Sequence, residues 1–152
     1  MNRKKLTKIG IVPTIRVVYE NQFEYCFDLK LFDLFKKIFN NFNITVLNKN
    51  SNLQRIDFIV FLGGNTLTAF SKKKIDKIRS DIDFQILKKG IKYKKPILGI
   101  CHGMQVIAKY FGAKIVKKKH LGDHKILLIH NKKQKKEKVN SYHNYIVQDL
   151  SK

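Results

Sequence analysis

The sequence has few cysteines and no long apolar run, and each shortage excludes a class of protein. Its two cysteines, Cys26 and Cys101, lie far apart, so they form neither a disulfide framework nor a CxxC metal or redox pair. No apolar run approaches the ~20 residues that a transmembrane helix needs, and we expect no membrane partner. The apolar stretch after the basic N-terminus is too short for a secretory signal. We therefore expect a cytoplasmic protein with reduced thiols.

Acidic residues are also scarce: 11 Asp and Glu stand against 32 Lys and Arg, which gives a formal net charge of +21. A charge of this size can indicate a nucleic-acid partner, because clustered lysines neutralise phosphates. The lysines are spread through the chain, however, and arginine, the better residue for bidentate phosphate contacts, is rare. We interpret the charge as a solvated surface that favours anionic small molecules, and we do not expect a nucleic-acid partner.

Cofactor motifs are missing as well. The sequence has no Walker A motif and no dinucleotide-binding fingerprint. His120 and His124 have the spacing of metal ligands on a helix, but Gly122 between them predicts a surface loop instead. We therefore expect neither a cofactor nor a metal.

What the sequence does contain is an alternation of strands and helices, which predicts a single α/β domain over residues 1–152. Its sheet is expected to be parallel with helices on both faces, and ligands should collect at the carboxyl ends of the strands. Asp28 is a plausible N-cap of the first helix, and Gly112 closes the last. The predicted strands are 8–12, 43–47, 57–62, 96–100, 113–116 and 125–129; the helices are 28–39, 71–89 and 102–111; 131–138 is a hairpin or surface loop, and 139–147 is strand or loop.

The segment Gly99-Ile100-Cys101-His102-Gly103 has the form G-x-C-x-G and lies between a predicted strand and a predicted helix. This is the context of a nucleophile elbow, in which glycines let strand and helix approach closely enough to expose the central side chain. The helix N-terminus favours a thiolate, and the amide of His102 can bind an oxyanion. The alternative is a buried sulfur, a common state of free cysteine. Cys26 has no flanking glycine and is interpreted as structural.

The segment Gly63-Gly64-Asn65 follows the strongest predicted strand. A Gly-Gly pair there can be a simple turn, or it can supply a second oxyanion donor from its backbone. We favour the donor, because the elbow is expected at the same edge of the sheet.

These segments resemble a known family. GICHGMQ is similar to the elbow of class I glutamine amidotransferases, FLGGN resembles their oxyanion strand, and VNSYH resembles a segment of the γ-glutamyl hydrolase branch. Within that branch the GGN loop looks most like that of the γ-glutamyl-CDP-amidate hydrolase group. The resemblance implies a three-layer, flavodoxin-like domain and a thiol hydrolase that cleaves a γ-glutamyl amide to glutamate plus an amine or ammonia.

The resemblance also implies roles for individual residues. Cys101 would form a glutamyl thioester, and the backbone N–H groups of Gly64 and His102 would bind the oxyanion. Five further residues would bind the γ-glutamyl substrate, namely Gly63, Asn65, Gln105, Ser141 and His143.

One departure from the family concerns the general base. The family uses a histidine in a late His-x-Glu motif, and none follows Cys101 in this sequence. We therefore expect a C-terminally incomplete domain. His143, oriented by Asp149, is a substitute base. The alternative function is a catalytically impaired or truncated relative that binds a γ-glutamyl ligand or a synthetase partner.

Overall fold

The computed structural model describes residues 6–130 and 133–149. Eight strands and three helices are assigned within these ranges. In chain order they are β1 Thr7–Val12, β2 Thr14–Tyr19, β3 Gln22–Cys26, α1 Lys30–Ile38, β4 Phe42–Val46, β5 Phe58–Phe61, α2 Lys74–Lys92, β6 Ile97–Gly99, α3 His102–Tyr110, β7 Lys114–His130 and β8 Lys133–Asp149.

Four of these strands form a parallel sheet in the order β4-β1-β5-β6. Residues of β5 alternate between two cores, as a strand covered on both faces must. Ile59 packs with Ile86 of α2 and Val106 of α3, whereas Val60 packs with Phe35 of α1. Helix α1 therefore covers one face of the sheet, and α2 and α3 cover the other. The predicted parallel sheet between two helix layers is confirmed.

The carboxyl ends of β5 and β6 bring the two glycine-containing segments together. The hydrogen-bond ladder continues past both strands, because the N–H of Ile100 donates to the carbonyl of Phe61 at 2.9 Å. The N–H of Leu62 likewise donates to Val12 at the end of β1, at 3.1 Å. The chain therefore leaves β5 at Gly63 and leaves β6 at Cys101 on the same edge of the sheet.

Two features differ from the sequence-based expectation. The hairpin of β2 and β3 was not predicted, because most of its side chains are exposed and its strands carry no clear alternation. The turn between them uses Asn21, whose φ of 68° lies in the left-handed region. The four segments predicted after Gly112 are instead parts of two 17-residue strands, β7 and β8, which pair as an antiparallel ribbon.

The ribbon corrects the prediction that His120 and His124 lie in a loop. Both are on β7, where they pair with His143 and Val139 of β8. Gly122 adopts a φ of 93° inside the strand and remains paired with Ser141, so it does not end β7. In the predicted 131–138 hairpin, residues 133–138 belong to β8, and residues 131 and 132 lie outside the described ranges.

The start of α1 is also corrected. The helix begins at Lys30, and Leu29 occupies the N-cap position without a side-chain cap. Asp28 lies one residue earlier, and its carboxylate accepts the backbone N–H of Lys30 at 2.9 Å. None of the helices in the described ranges is long and apolar enough to cross a membrane.

The steric reason for the G-x-C-x-G spacing is visible in the packing of α3 against the sheet. A Cβ added at Gly103 would overlap the backbone of Phe61, and one added at Gly99 would lie 2.6 Å from the backbone of Gly103. Both glycines are therefore needed for α3 to begin directly against β5 and β6.

We predict that Gly103→Ala lowers the free energy of unfolding by about 1–3 kcal/mol, because the new methyl group meets fixed backbone. The matched control is Gly90→Ala in α2, where the added Cβ meets only the ends of Ile59 and Ile97 at 3.0 Å. There the gain of about 1 kcal/mol in helix propensity offsets the crowding. Urea unfolding measures both, and equal effects would contradict the close-packing explanation.

Candidate active site

Cys101 occupies a strained turn and is exposed to solvent. Its backbone has a φ of 52° and a ψ of −107°, a conformation that costs a residue other than glycine about 1–3 kcal/mol. Its thiol is exposed, and α3 begins at the next residue. The alternative of a buried core sulfur is therefore wrong. Cys26, by contrast, is half-buried and its Sγ donates to the carbonyl of Thr14 at 3.6 Å, as expected of a structural cysteine.

The Gly63-Gly64 turn lies against Cys101. A Cβ built on Gly63 would lie 3.1 Å from the Cβ of Cys101 and 3.7 Å from its Sγ, so the two backbones are in close approach. Thr14 fixes this turn, because its hydroxyl donates to the carbonyl of Gly63 at 2.6 Å. Gly64 adopts a φ of 104°, and any side chain there would collide with Thr14. Sequence reasoning missed Thr14, whose only signal is its position directly after a strand and a proline.

Asn65 uses its side-chain amide to hold the β2 strand. Its Oδ1 accepts the N–H of Ile15 at 3.0 Å, and its Nδ2 donates to the carbonyl of the same residue at 3.1 Å. The Nδ2 also lies 3.5 Å from the carboxylate of Asp76 on α2. These bonds fasten the hairpin to the loop after β5, and the predicted contact of Asn65 with substrate stays a prediction.

A buried ionic network lies beneath the elbow. His102 Nε2 is 2.8 Å from one carboxylate oxygen of Asp83, and Arg79 Nε is 2.8 Å from the other. All three side chains are at most 1% exposed. Arg79 also donates to the carbonyl of Leu62 at 3.0 Å and to that of Pro13.

This network joins four parts of the chain. The guanidinium of Arg79 holds the ends of β1 and β5, and Asp83 links it to the first residue of α3. The side chain of His102 lies against α2, because its imidazole is hydrogen-bonded to Asp83. Arg79 and Asp83 stand four residues apart on one helix face, which is the signal that sequence reasoning passed over.

Gln105 connects α3 to the ribbon. It is 4% exposed, and its Nε2 donates to the carbonyl of Tyr145 on β8 at 2.9 Å. The ring of Tyr145 stacks on Phe70 with centroids 4.3 Å apart. The C-terminal part of β8 is therefore held beside α3.

Ser141 and His143 lie further along β8, where their neighbours are ribbon residues. Ser141 pairs with Gly122, and His143 pairs with His120 at a ring-centroid distance of 5.0 Å. Partial desolvation, with the neighbouring His124 and His143, lowers the pKa of His120. Within the described ranges, no three His, Cys, Asp or Glu side chains are placed to hold a metal ion.

Comparison with known proteins identifies related sequences and folds. The family model of class I glutamine amidotransferases matches residues 32–152. A γ-glutamyl-CDP-amidate hydrolase from Campylobacter jejuni is 32% identical over 128 residues, which are 80% of this chain. The chain spans 60% of the length of that relative.

A solved structure of a glutamine amidotransferase from Thermotoga maritima superposes with a TM-score of 0.66 at 21% identity. The match covers 95% of this chain and 63% of the other. It shows a shared flavodoxin-like α/β fold.

We predict that Asp83→Asn destabilises the protein by about 3 kcal/mol or more, because it leaves the buried guanidinium of Arg79 without a counter-charge. Asp81→Asn on the same helix is the matched control. Its carboxylate is about half exposed and 3.9 Å from Lys49, so its loss should cost less than about 1 kcal/mol. Chemical denaturation measures both variants, and similar losses would contradict a structural role for the network.

Proposed function

The chain belongs to the class I glutamine amidotransferase family, and on that premise we propose that it is a thiol hydrolase acting on a γ-glutamyl amide. One observation carries the proposal: Cys101 is an exposed cysteine in a strained strand-to-helix turn at the start of α3. A solvent-facing thiol in the turn directly before a helix is placed for nucleophilic attack, because a substrate carbonyl can reach its sulfur from solvent.

The reaction has two steps. Cys101 Sγ attacks the γ-carbonyl carbon, a C–S bond forms, the C–N bond breaks, and the amine leaves with the thiol proton. Water then attacks the glutamyl thioester, its hydroxyl completes the γ-carboxyl group of glutamate, and its remaining proton returns to the sulfur. The products are glutamate and an amine, or ammonia when the substrate is glutamine.

The oxyanion of each tetrahedral intermediate would be bound by the backbone N–H groups of Gly64 and His102. The close approach of Gly63 to Cys101 and the helical start at His102 support this assignment. Gly63, Asn65 and Gln105 would shape the glutamyl site around the elbow. Ser141 and His143 would contribute to it from the ribbon.

A substituted amide is favoured over glutamine itself as the substrate. The relative in Campylobacter jejuni is named a γ-glutamyl-CDP-amidate hydrolase, and this chain is 32% identical to it over 128 residues. A hydrolase of this kind breaks a C–N bond to a γ-glutamyl group. An exposed thiol beside two candidate oxyanion donors is suited to that reaction.

A second candidate is a relative that binds a γ-glutamyl ligand or a synthetase partner without turnover. It is favoured by the position of His102, the residue next to the nucleophile, whose imidazole is bound to a carboxylate inside the protein. Among the residues that the structure describes, the only hydrogen bond between a histidine and a carboxylate is that of His102 with Asp83, and it is buried. Because its Nε2 is bound to Asp83 inside the protein, this imidazole serves to hold the start of α3 against α2.

We predict that Cys101→Ser lowers glutamate release from γ-glutamyl amides by about 100-fold or more, because serine lacks a thiolate. Cys26→Ser is the matched control and should lower the rate less than about threefold, since it leaves the elbow intact and replaces one sulfur atom that is held against Thr14 in the lining of the neighbouring cavity. The measurement is coupled detection of glutamate with glutamine and γ-glutamyl ethylamide as substrates.

Unchanged release in Cys101→Ser would contradict the proposed nucleophile. Binding of γ-glutamyl ethylamide with no release by the wild-type chain would favour the second candidate.

A further inference from the structure

We propose that a cavity beside the elbow binds the amine half of the substrate and selects amines that carry an anionic group. The cavity has a volume of about 480 Å³ and lies between the β2–β3 hairpin, the start of α1 and the elbow. This inference rests on the proposed function, since it assigns the group that leaves when Cys101 attacks. We call this space the amine cavity.

The position of the amine cavity connects it to the reacting atoms. Its lining includes Gly63 and Ile100, the residues that directly precede Gly64 and Cys101. Thr14, which fixes the Gly63 carbonyl, also lines it. A carbonyl group held between Cys101 and the oxyanion donors therefore has this space within reach of its nitrogen substituent.

The size of the amine cavity argues against ammonia as the leaving group. A water-sized molecule such as ammonia occupies about 30 Å³. A cavity of about 480 Å³ falls instead in the range of sites for small organic ligands, roughly 300–1,000 Å³. The amide nitrogen is therefore expected to carry a substituent of several heavy atoms.

Charge at the edge of the amine cavity favours an anion. Arg16 from β2 and Lys30 from α1 both line it, and Asp28 is the one acidic residue in its lining. Within the described ranges neither cation forms an ion pair, although Glu24 is the cross-strand neighbour of Arg16. Two unpaired cations against one carboxylate give a net attraction for a phosphate or similar group, to which an arginine can bind with two hydrogen bonds.

The rest of the lining is largely apolar, so the bound amine is expected to have an apolar part. Most of the remaining side chains in the lining are aliphatic or aromatic, namely Phe27, Leu31, Leu34, Leu62 and Ile100. The predicted leaving group is thus an amine with an apolar body and an anionic end.

The first experiment measures binding without turnover. The Cys101→Ala chain is titrated with O-phosphoethanolamine and, separately, with ethanolamine by calorimetry at fixed ionic strength. We expect O-phosphoethanolamine to bind and ethanolamine to bind at least about tenfold more weakly, because only the first offers an anion to Arg16 and Lys30. Equal affinities, or no binding of either at millimolar concentration, would overturn the proposal.

Matched variants separate the amine cavity from the general positive field of the protein. In the Cys101→Ala background, Arg16→Gln and Lys30→Gln should each weaken O-phosphoethanolamine binding by about tenfold. Arg55→Gln and Lys37→Gln remove the same charge from exposed positions outside the cavity and should change it less than about twofold. Asp28→Asn should strengthen binding, since it removes the one acidic charge in the lining. Equal weakening by all four cation variants would overturn the proposal.

A hydrolysis experiment distinguishes this inference from the function on which it rests. The wild-type chain is supplied with the γ-glutamyl amides of O-phosphoethanolamine and of ethanolamine. Preferential release from the phosphorylated amide, lost in Arg16→Gln, supports both claims. Equal release from the two amides would support the hydrolase function and would overturn the proposed selection of anionic amines. Binding that depends on Arg16, with no release from either amide, would support an anion-binding cavity and would contradict the proposed hydrolase function.

Discussion

The buried pairing of Arg79, Asp83 and His102 is the interaction on which the geometry of the elbow depends. Helix α2 supplies two of the three residues, and through them it holds the ends of β1 and β5 and the start of α3 at fixed positions. Removing charges from water is costly, so such a network persists only when every charged group has partners. Here the guanidinium contacts one carboxylate and two backbone carbonyls, and the carboxylate contacts both a guanidinium and an imidazole.

The strained backbone at Cys101 depends on this support. A left-handed conformation at a residue with a side chain is retained only where the neighbouring structure leaves no alternative. On one side the close contact of Gly103 with Phe61 fixes the helix, and on the other the Thr14 hydroxyl fixes the Gly63 turn. Exposure of the thiol is therefore a result of packing around it, and the chemistry proposed for it follows from that placement.

The sequence predicted those parts of the fold whose residues repeat at strand or helix periods. The apolar run of β5 and the glycines around Cys101 place the sheet and the elbow correctly, because their patterns have a direct steric cause. Arg79 and Asp83 were not predicted as buried, since charged residues on a helix are usually solvated and only the packed structure shows their partners.

The ribbon and hairpin were harder to predict because their side chains are largely exposed, and exposed strands carry little period-two signal. Asn65 and Gln105 were predicted to bind substrate, and that stays a prediction. Their bonds to Ile15 and Tyr145, however, depend on elements whose placement the sequence did not specify.

If Cys101 is the nucleophile, it becomes acylated during turnover, and mass spectrometry of the protein after rapid acid quenching detects the acyl group. The wild-type chain is mixed with a γ-glutamyl amide, quenched and digested. We expect a glutamyl adduct on the peptide that contains Cys101 and none in Cys101→Ala. Glutamate release without an adduct on that peptide at any time point, or an adduct on Cys26 instead, would contradict it.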